Sequence, residues 1–325
     1  MTQITSVYLA PMEGLADPPL RKVLCPHGGY DWCFSEFIRV TDEGLSEKTL
    51  LHDCPELLND GYTQDGTPCR VQLLGDHPKL MAEAAQKAAR LGALGVDLNF
   101  GCPSRFVHHS GSMLLKEPEL LHDITSCVRQ ELDPKVMLSV KIRCGFADKK
   151  ELPAILASVA LPGVSEVAVH CRTRSELYRA DALDWSVLKP MAELYPDVVL
   201  VVNGDINNAD DAKHCSEQSG CDHVMCGRGG FMLPNIGKVL KNGEQPYNEV
   251  QTLMVMREVA EEFVNMGITR EKIILDRAKQ FLSYARLGSP NLREFFKKFC
   301  RCASVSECFE MIDQRIKSAE QGVVL

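Results

Sequence analysis

Short apolar runs and longer amphipathic stretches alternate along most of the chain. The apolar runs are rich in β-branched and aromatic residues, which is typical of β-strands. Eight of them lie at residues 7–11, 32–37, 70–75, 96–102, 137–143, 166–172, 198–206 and 223–229. Apolar residues recur at helical spacing between several of these runs, at 78–91, 118–132, 150–160, 185–194 and 208–217. Only residues 38–67 are irregular, and we expect a long functional loop there.

This alternation predicts an α/β protein with parallel strands, because a helix between two strands returns the chain to the same end of the sheet. Eight such units are the number that closes a (β/α)8 TIM barrel. An open doubly wound sheet is the alternative, but no G-x-G-x-x-G sequence follows any of the predicted strands. We therefore predict a barrel.

The pattern changes after the turn-rich residues 242–246, where strand signals give way to helical ones. Leu253, Met256, Ala260 and Phe263 form an apolar stripe at helical spacing. Further helices are predicted at 270–287, at 291–302 and from a Ser304-x-x-Glu307 capping box onward. The sequence thus predicts a barrel domain at 1–245 and a small C-terminal helical bundle domain at 246–325.

Composition places the chain among ordinary globular proteins, with 325 residues, 45% of them hydrophobic and 25% charged. No apolar run reaches the roughly 18 to 20 residues of a membrane helix, and residues 1–14 lack the features of a signal peptide. We expect a monomeric cytoplasmic protein without membrane partners. The 14 cysteines include no C-x-x-C pair, so we expect reduced thiols and no metal site.

Charge is distributed unevenly along the chain. The net charge is −8, yet residues 270–317 carry 11 Lys and Arg against 6 Asp and Glu, a net of +5, which leaves −13 for the rest. Such asymmetry indicates either a basic appendage that contacts nucleic-acid phosphates or a solvated helical face.

Functional groups follow the predicted strands at their carboxyl ends, where the active sites of (β/α)8 enzymes are built. In strand order they are Pro11, Met12 and Glu13; Glu36; Gln72; Asn99 and Cys102; Lys141 and Arg143; His170 and Arg172; Asn203, Gly204 and Asp205; and Gly227, Arg228 and Gly229. A single residue of this kind is often an ordinary loop residue. Their recurrence after every strand favours one shared site.

The last two predicted strands end in glycine-rich turns, and Arg228 lies in the second of them. Backbone N–H groups in such turns bind phosphate in many barrels, although tight turns alone would also explain the glycines. Lys141 would place a cation beside a redox-active ring such as a flavin, with the Gln72 and Asn99 amides on its polar edge. Schiff-base chemistry at Lys141, as in aldolases, is the competing interpretation.

Cys102 directly follows the fourth predicted strand, between Gly101 and Pro103. An unperturbed thiol has a pKa of about 8.5, so near neutral pH it is mostly protonated and suited to donate a proton. A nucleophilic role would need a base to form the thiolate, and His108 and His109 lie a few residues downstream.

The chain resembles the tRNA-dihydrouridine synthase family, and within it the bacterial C-type enzymes. Matching segments span almost the whole chain in the order of the family. They are LAPMEGLADPPLR (9–21), VQLLG (71–75), DLNFGCPSR (97–105), SVKIR (139–143), VAVHCRTR (167–174), YRA (178–180), VVNGDI (201–206), SGCDHVMCGRG (219–229) and AKQFLSY (278–284). The most specific is G-C-P after D-x-N.

The resemblance implies an FMN-containing (β/α)8 barrel with a helical tRNA-binding domain, which reduces a uridine in tRNA with NADPH. It implies that Cys102 donates a proton to uracil C5 after hydride transfer from flavin N5 to C6. It assigns FMN contacts to Pro11, Met12, Glu13, Gln72, Lys141, His170, Asn203, Gly204, Asp205, Gly227 and Arg228. It assigns tRNA contacts to Glu36, Asn99, Arg143, Tyr178, Arg179, Arg277 and Lys279. The C-type resemblance points to the D-loop, near position 16.

Two departures from the family pattern occur after the G-C-P motif. Arg105 replaces the usual Lys, and residues 106–113 contain less glycine than is usual. A flavin barrel that acts on a free small molecule, similar to dihydroorotate dehydrogenase, is the first alternative function. A non-catalytic RNA-binding barrel is the second.

Overall fold

A computed structural model describes residues 3–104 and 109–321. Nine parallel strand segments lie within these ranges. They are β1 (Ser6–Leu9), β2 (Cys33–Phe34), β3 (Ile38–Arg39), β4 (Cys69–Leu74), β5 (Gly95–Phe100), β6 (Met137–Arg143), β7 (Glu166–His170), β8 (Val199–Asn203) and β9 (His223–Cys226). Their order is β1-β9-β8-β7-β6-β5-β4-β2, and β3 also pairs with β4. A bridge between Tyr8 and Trp32 links the two ends of this order. The strands therefore form a nearly closed barrel of eight positions, as the sequence predicted.

The second barrel position is split between β2 and β3. At the break, the Ser35 hydroxyl accepts a hydrogen bond from the Gln72 N–H at 3.0 Å. This bond satisfies a backbone donor of β4 that has no backbone acceptor on the neighbouring strand. The break releases Glu36 from the sheet, and its carboxylate accepts a hydrogen bond from the Gly14 N–H. One predicted strand at 32–37 thus becomes two short segments with a polar residue between them.

Helices surround the barrel and continue beyond it. They are α1 (Pro18–Gly28), α2 (Glu47–Asp53), α3 (Pro78–Arg90), α4 (Pro118–Glu131), α5 (Leu152–Val159), α6 (Lys189–Leu194), α7 (Ala209–Ser219), α8 (Gly229–Met232), α9 (Ile236–Asn242), α10 (Glu249–Asn265), α11 (Glu271–Gly288), α12 (Pro290–Phe299) and α13 (Val305–Glu320). None of the helices in the described ranges is both long and apolar enough to span a bilayer.

The expectation that residues 38–67 are irregular is wrong. They contain β3, α2 and a 3-10 helix at Pro55–Asn59. Local signals account for α2, because the Ser46 side chain accepts a hydrogen bond from the Thr49 N–H and Glu47 lies in the first turn. The segment is therefore an ordered excursion over the outside of the barrel.

The four C-terminal helices α10 to α13 match the predicted bundle. The Ser304 side chain accepts from the Glu307 N–H at the start of α13, as the capping box predicted, but the Glu307 carboxylate binds the N–H of Ala303 instead of Ser304. The bundle contacts the barrel layer through a Lys22–Glu262 ion pair of 2.7 Å between α1 and α10. Phe231 of α8 also packs against Phe281 of α11.

Candidate active site

A cavity of about 620 Å³ opens at the carboxyl ends of the barrel strands. All the residues that the sequence assigned to cofactor binding line it. They are Pro11, Met12, Glu13, Gln72, Lys141, His170, Asn203, Gly204, Asp205, Gly227 and Arg228. Cys102, Asn99, Arg143 and Tyr178 line the same cavity. The fold thus brings together residues that lie more than 200 positions apart in the chain.

The glycine-rich turns after β8 and β9 pack directly against each other. A Cβ on Gly229 would lie 2.2 Å from the Ile206 carbonyl oxygen, so the second turn has no room for a side chain. Gly204 has a φ of +132°, a conformation that L-residues rarely adopt. Both glycines are therefore required by backbone conformation and close approach.

The Asp205 carboxylate organises two arginines beside these turns. It pairs with the buried Arg172 at 2.5 Å and with Arg228, whose side chain is 39% exposed. Although burial disfavours the charged form, the hydrogen bonds from Arg172 and the charge of Arg228 lower the pKa of Asp205. The carboxylate stays ionised near neutral pH, and the trio keeps a net positive charge at the edge of the cavity.

Lys141 projects from β6 into the centre of the cavity. Its Nζ donates to Asn203 Oδ1 at 3.0 Å, and the Asn203 amide nitrogen donates to the Met225 carbonyl at 2.8 Å. Burial and the Arg143 charge lower the pKa of Lys141 to about 8, against the opposing effect of Asp97. The side chain is thus an oriented cation at neutral pH that loses its charge in mildly alkaline solution.

A buried chain of hydrogen bonds positions the loop that carries Cys102. Asp97 accepts from the Ser139 hydroxyl at 2.6 Å and from the Gln72 amide at 2.7 Å. Gln72 Oε1 in turn accepts from the Asn99 amide at 2.8 Å. Asn99 Oδ1 accepts from the Cys102 N–H at 2.9 Å. Gln72 and Asn99 therefore line the cavity and also hold the backbone of Cys102.

The Cys102 thiol lies half-buried in the cavity wall. Burial and the nearby Glu13 carboxylate raise its pKa, and Arg143 and Lys141 only partly oppose this shift. The thiol is therefore protonated at neutral pH. The Cys102 carbonyl accepts from the Ser112 hydroxyl at 2.7 Å, and a Cβ on Gly111 would lie 2.9 Å from the same oxygen. Gly111, with a φ of +59°, is needed for this close approach.

Arg143 and His170 lie side by side at the ends of β6 and β7, next to the glycine-rich turn after β8. Arg143 donates to the carbonyls of Gly101 at 2.9 Å and Leu177 at 2.8 Å, and so joins two loops of the rim. Its guanidinium lies 5.1 Å from the Tyr178 ring centroid. Burial and the surrounding cations hold the pKa of His170 well below its usual range, so the ring is neutral. Its buried Nδ1 has no partner among the described residues.

The other predicted tRNA contacts lie outside the cavity lining. Glu36 binds the Gly14 N–H. Arg179 is 66% exposed and pairs with Asp181 at 3.3 Å. Arg277 pairs with Asp17 of the barrel at 2.9 Å, and the Lys279 ammonium donates to the Cys302 carbonyl at 2.9 Å. Arg277 and Lys279 of α11 are therefore engaged within the protein.

Two expectations concerned the loop after Cys102. Arg105 and His108 lie outside the described residues. His109 is exposed and contacts Asp76 and Glu117 at 3.2 and 2.9 Å. The His109 ring therefore pairs with these two carboxylates. Among the described residues, no contact joins it to Cys102, as a base that activates the thiol would require.

Sequence reasoning missed several residues at the mouth of the cavity. Phe37, Leu177 and Tyr284 line it, and Tyr284 comes from α11 of the C-terminal bundle. Tyr284 ends the segment AKQFLSY (278–284), which already carried the resemblance, so that segment was the available signal. The mouth is consequently built by both parts of the chain.

Comparison with known proteins agrees with this arrangement. The family model described as "Dihydrouridine synthase (Dus)" matches residues 8–319. The chain is 38% identical over 310 residues to a tRNA-dihydrouridine(16) synthase of Shewanella oneidensis, with 95% of this chain and 97% of the relative covered. It is 38% identical over 305 residues to the protein of the same name from Haemophilus influenzae, with 93% and 97% covered. For the Vibrio parahaemolyticus protein of that name the identity is 34% over 324 residues, with 98% and 99% covered. The chain therefore belongs to the dihydrouridine synthase family of tRNA-modifying oxidoreductases.

Proposed function

We propose that the protein reduces a uridine of tRNA to 5,6-dihydrouridine, with FMN as bound cofactor and NADPH as reductant. One observation carries the proposal: a protonated thiol, Cys102, and a partly buried cation, Lys141, face one cavity at the carboxyl ends of the strands. Reduction of a C=C bond needs a hydride and a proton, and the thiol is the proton source that the cavity offers.

The residues of the cavity fit FMN. Its volume lies within the roughly 300 to 1,000 Å³ of small-molecule sites. Arg228 and the close-packed turns at Gly204 and Gly229 suit a phosphate group. The unpartnered His170 Nδ1 offers a hydrogen bond to the same ligand. Lys141 offers the cation that stabilises an anionic reduced ring.

When bound, FMN reduced by NADPH would supply the hydride for uracil C6. Cys102 donates its proton to C5 of the same base. The thiolate that remains is stabilised by the charges of Lys141 and Arg143, which already oppose the rise in the thiol pKa. Asn99 holds the donor in place through the Cys102 N–H.

A uracil reaches this cavity only after it leaves its stack, at a cost of a few kcal/mol. Tyr178, Tyr284 and Phe37 at the mouth offer aromatic surface to the extruded base and its neighbours. The relatives' shared name and the C-type resemblance support position 16 in the D-loop as the target. In this proposal residues 1–245 catalyse the reaction and residues 246–325 contribute to tRNA binding, in a monomeric cytoplasmic protein.

The direct test uses unmodified tRNA, which is incubated with the purified protein and NADPH and then digested for nucleoside mass spectrometry. We expect bound FMN and dihydrouridine at position 16, and a parallel reaction with a tRNA carrying cytidine at that position should give none. Oxidation of dihydroorotate-like molecules by the bound flavin, without RNA, would contradict the proposal. Borohydride trapping of a keto substrate on Lys141 would instead favour the aldolase interpretation, which its lowered pKa permits.

A further inference from the structure

Four buried cysteines lie together at the foot of the barrel, opposite the cavity. This thiol cluster consists of Cys25, Cys33, Cys54 and Cys69, each with 0% exposure. Cys33 begins β2 and Cys69 begins β4, so both lie at the amino ends of their strands. The proposed reaction does not use the cluster.

Strand register explains how two of the thiols meet. Cys33 and Cys69 are direct partners across the parallel pair of β2 and β4, as are Phe34 and Arg70. The guanidinium of Arg70 lies 5.3 Å from the Phe34 ring centroid inside the barrel, so the two cysteines point to the outer face. There the Cys33 thiol contacts both Cys25 and Cys69.

The segment between β3 and β4 adds two further ligands. Cys54 directly follows α2, and its Sγ lies 3.9 Å from Cys69 Sγ. A Glu56 carboxylate oxygen and these two sulfurs all lie within 4.8 Å of one another. Glu56 is buried, with 7% exposure. Two thiols and a carboxylate thus converge on one point beneath the excursion, and the Cys33 thiol lies beside them against Cys69.

The separation of the Cys54 and Cys69 sulfurs is compatible with a tetrahedral metal site. Zinc–sulfur bonds of about 2.3 Å at a tetrahedral angle separate two sulfurs by about 3.8 Å, close to the separation of Cys54 and Cys69. We propose that Cys33, Cys54, Cys69 and Glu56 bind one structural zinc ion.

Charge and donor chemistry favour zinc over other cations. Three thiolates with one carboxylate suit zinc, since sulfur ligands disfavour Mg²⁺ and Ca²⁺ and a carboxylate disfavours Cu(I). Arg21 binds both Glu56 oxygens at 2.7 Å, which orients the carboxylate and adds a positive charge. The charges of zinc and Arg21 together offset three of the four negative charges of the ligands. Binding releases the thiol protons to solvent.

The site would fasten the excursion at residues 38–67 to the barrel. Spacing alone hid it, because Cys33, Cys54 and Cys69 are 21 and 15 residues apart, and no C-x-x-C pair marks them. Only the pairing of β2 with β4 and the return of the chain from α2 bring the ligands together. The sequence-based expectation of no metal site rested on that local spacing.

The test measures metal rather than uridine reduction. Protein expressed with zinc and purified without chelator should contain about one zinc ion per chain by plasma mass spectrometry. Cys54→Ser should reduce the content to below about 0.1 per chain, whereas Cys215→Ser, at an equally buried thiol of α7, should retain it. Added Cd²⁺ should give thiolate-to-metal ultraviolet absorption in stripped wild-type protein and not in Cys54→Ser.

The wild-type measurements keep the proposal testable even where Cys54→Ser does not fold. Wild-type protein that contains no zinc and shows no cadmium absorption overturns it. Equal zinc in Cys54→Ser and wild type places the metal elsewhere and also overturns it. A disulfide between Cys54 and Cys69, seen as the loss of two hydrogens from the joined peptides, would show that the pair is a redox couple instead.

Discussion

The cationic side chains of the cavity and those of the C-terminal helices differ in their surroundings. Lys141 is partly buried and Arg143 is buried, and both are oriented by oxygen acceptors and have a pKa lowered by their environment. Lys297, Lys298 and Arg301 of the bundle are exposed to solvent. Under the proposed function, the cavity cations would act on one bound group at short range, whereas the bundle cations would act on a more distant polyanion that salt screens.

The largest effect is expected from Cys102→Ala. Loss of a general acid typically costs about 10²- to 10⁴-fold in rate, so dihydrouridine formation should fall by that factor. FMN content and NADPH oxidation should stay near wild type, because the thiol is not needed for either. Cys300→Ala, at the exposed cysteine of the bundle, is the matched control and should react normally. Wild-type dihydrouridine yields from Cys102→Ala would remove the acid role.

Lys141→Met should lower the rate by about 10²- to 10³-fold and weaken FMN retention, because it deletes a cation from a low-dielectric site. A pH profile sharpens this prediction. The Lys141 pKa is lowered to about 8, so its charge is present below that pH and lost above it. Wild-type kcat should therefore decline through about pH 8 for this reason, and the decline should be absent in Lys141→Met. If kcat of the variant still declines through about pH 8, that decline belongs to another titrating group.

A smaller effect is expected from the bundle. Neutralising Lys297, Lys298 and Arg301 to Gln should weaken tRNA binding by roughly tenfold and reduce the salt slope by about one to two units, since each phosphate contact contributes roughly one unit. Filter-binding or fluorescence titrations at several salt concentrations measure both quantities. FMN content should not change. If the tRNA affinity and its salt dependence are unchanged, the bundle charges only face solvent. The exposed Arg179 at the barrel rim then becomes the candidate tRNA contact.

The smallest effect tests Arg277 and Lys279, which the sequence assigned to tRNA. Arg277→Gln should destabilise the fold by about 1 kcal/mol, because it leaves the mostly buried Asp17 without its ion-pair partner. The double variant Asp17→Asn/Arg277→Gln should recover much of that loss in urea unfolding. Lys279→Gln, which removes a single bond to the Cys302 carbonyl, serves as comparison. A drop in tRNA affinity without a change in stability would restore the original assignment.

Much of the barrel was predictable because strand and helix periods are local. The cofactor side chains were predictable for a related reason: parallel strands expose their carboxyl ends at one rim, so Gln72, Lys141 and Asn203 had to converge. The start of α1 was missed although Asp17 and two prolines signal a helix N-terminus. Residues 9–21 enter the sequence-based prediction only as a segment of the family resemblance.

Other features had no local signal. Asp17, the ion-pair partner of Arg277, lies 260 positions earlier in the chain. A count of charges along the sequence cannot distinguish an arginine in an ion pair from one exposed to solvent. The break between β2 and β3 depends on the Ser35 hydroxyl replacing a strand acceptor, which hydropathy does not encode. Each of these results from tertiary packing between distant segments.

The contribution of Tyr284 to the mouth of the cavity has a consequence for synthesis. The ribosome completes every strand of the barrel before it makes α11, which supplies this wall. Until then the nascent barrel exposes Phe231 and the apolar mouth that α11 covers. Such transiently uncovered surface is where newly made chains associate with one another or with chaperones. The last quarter of the polypeptide therefore also shields the apolar surface of the newly made barrel from such contacts.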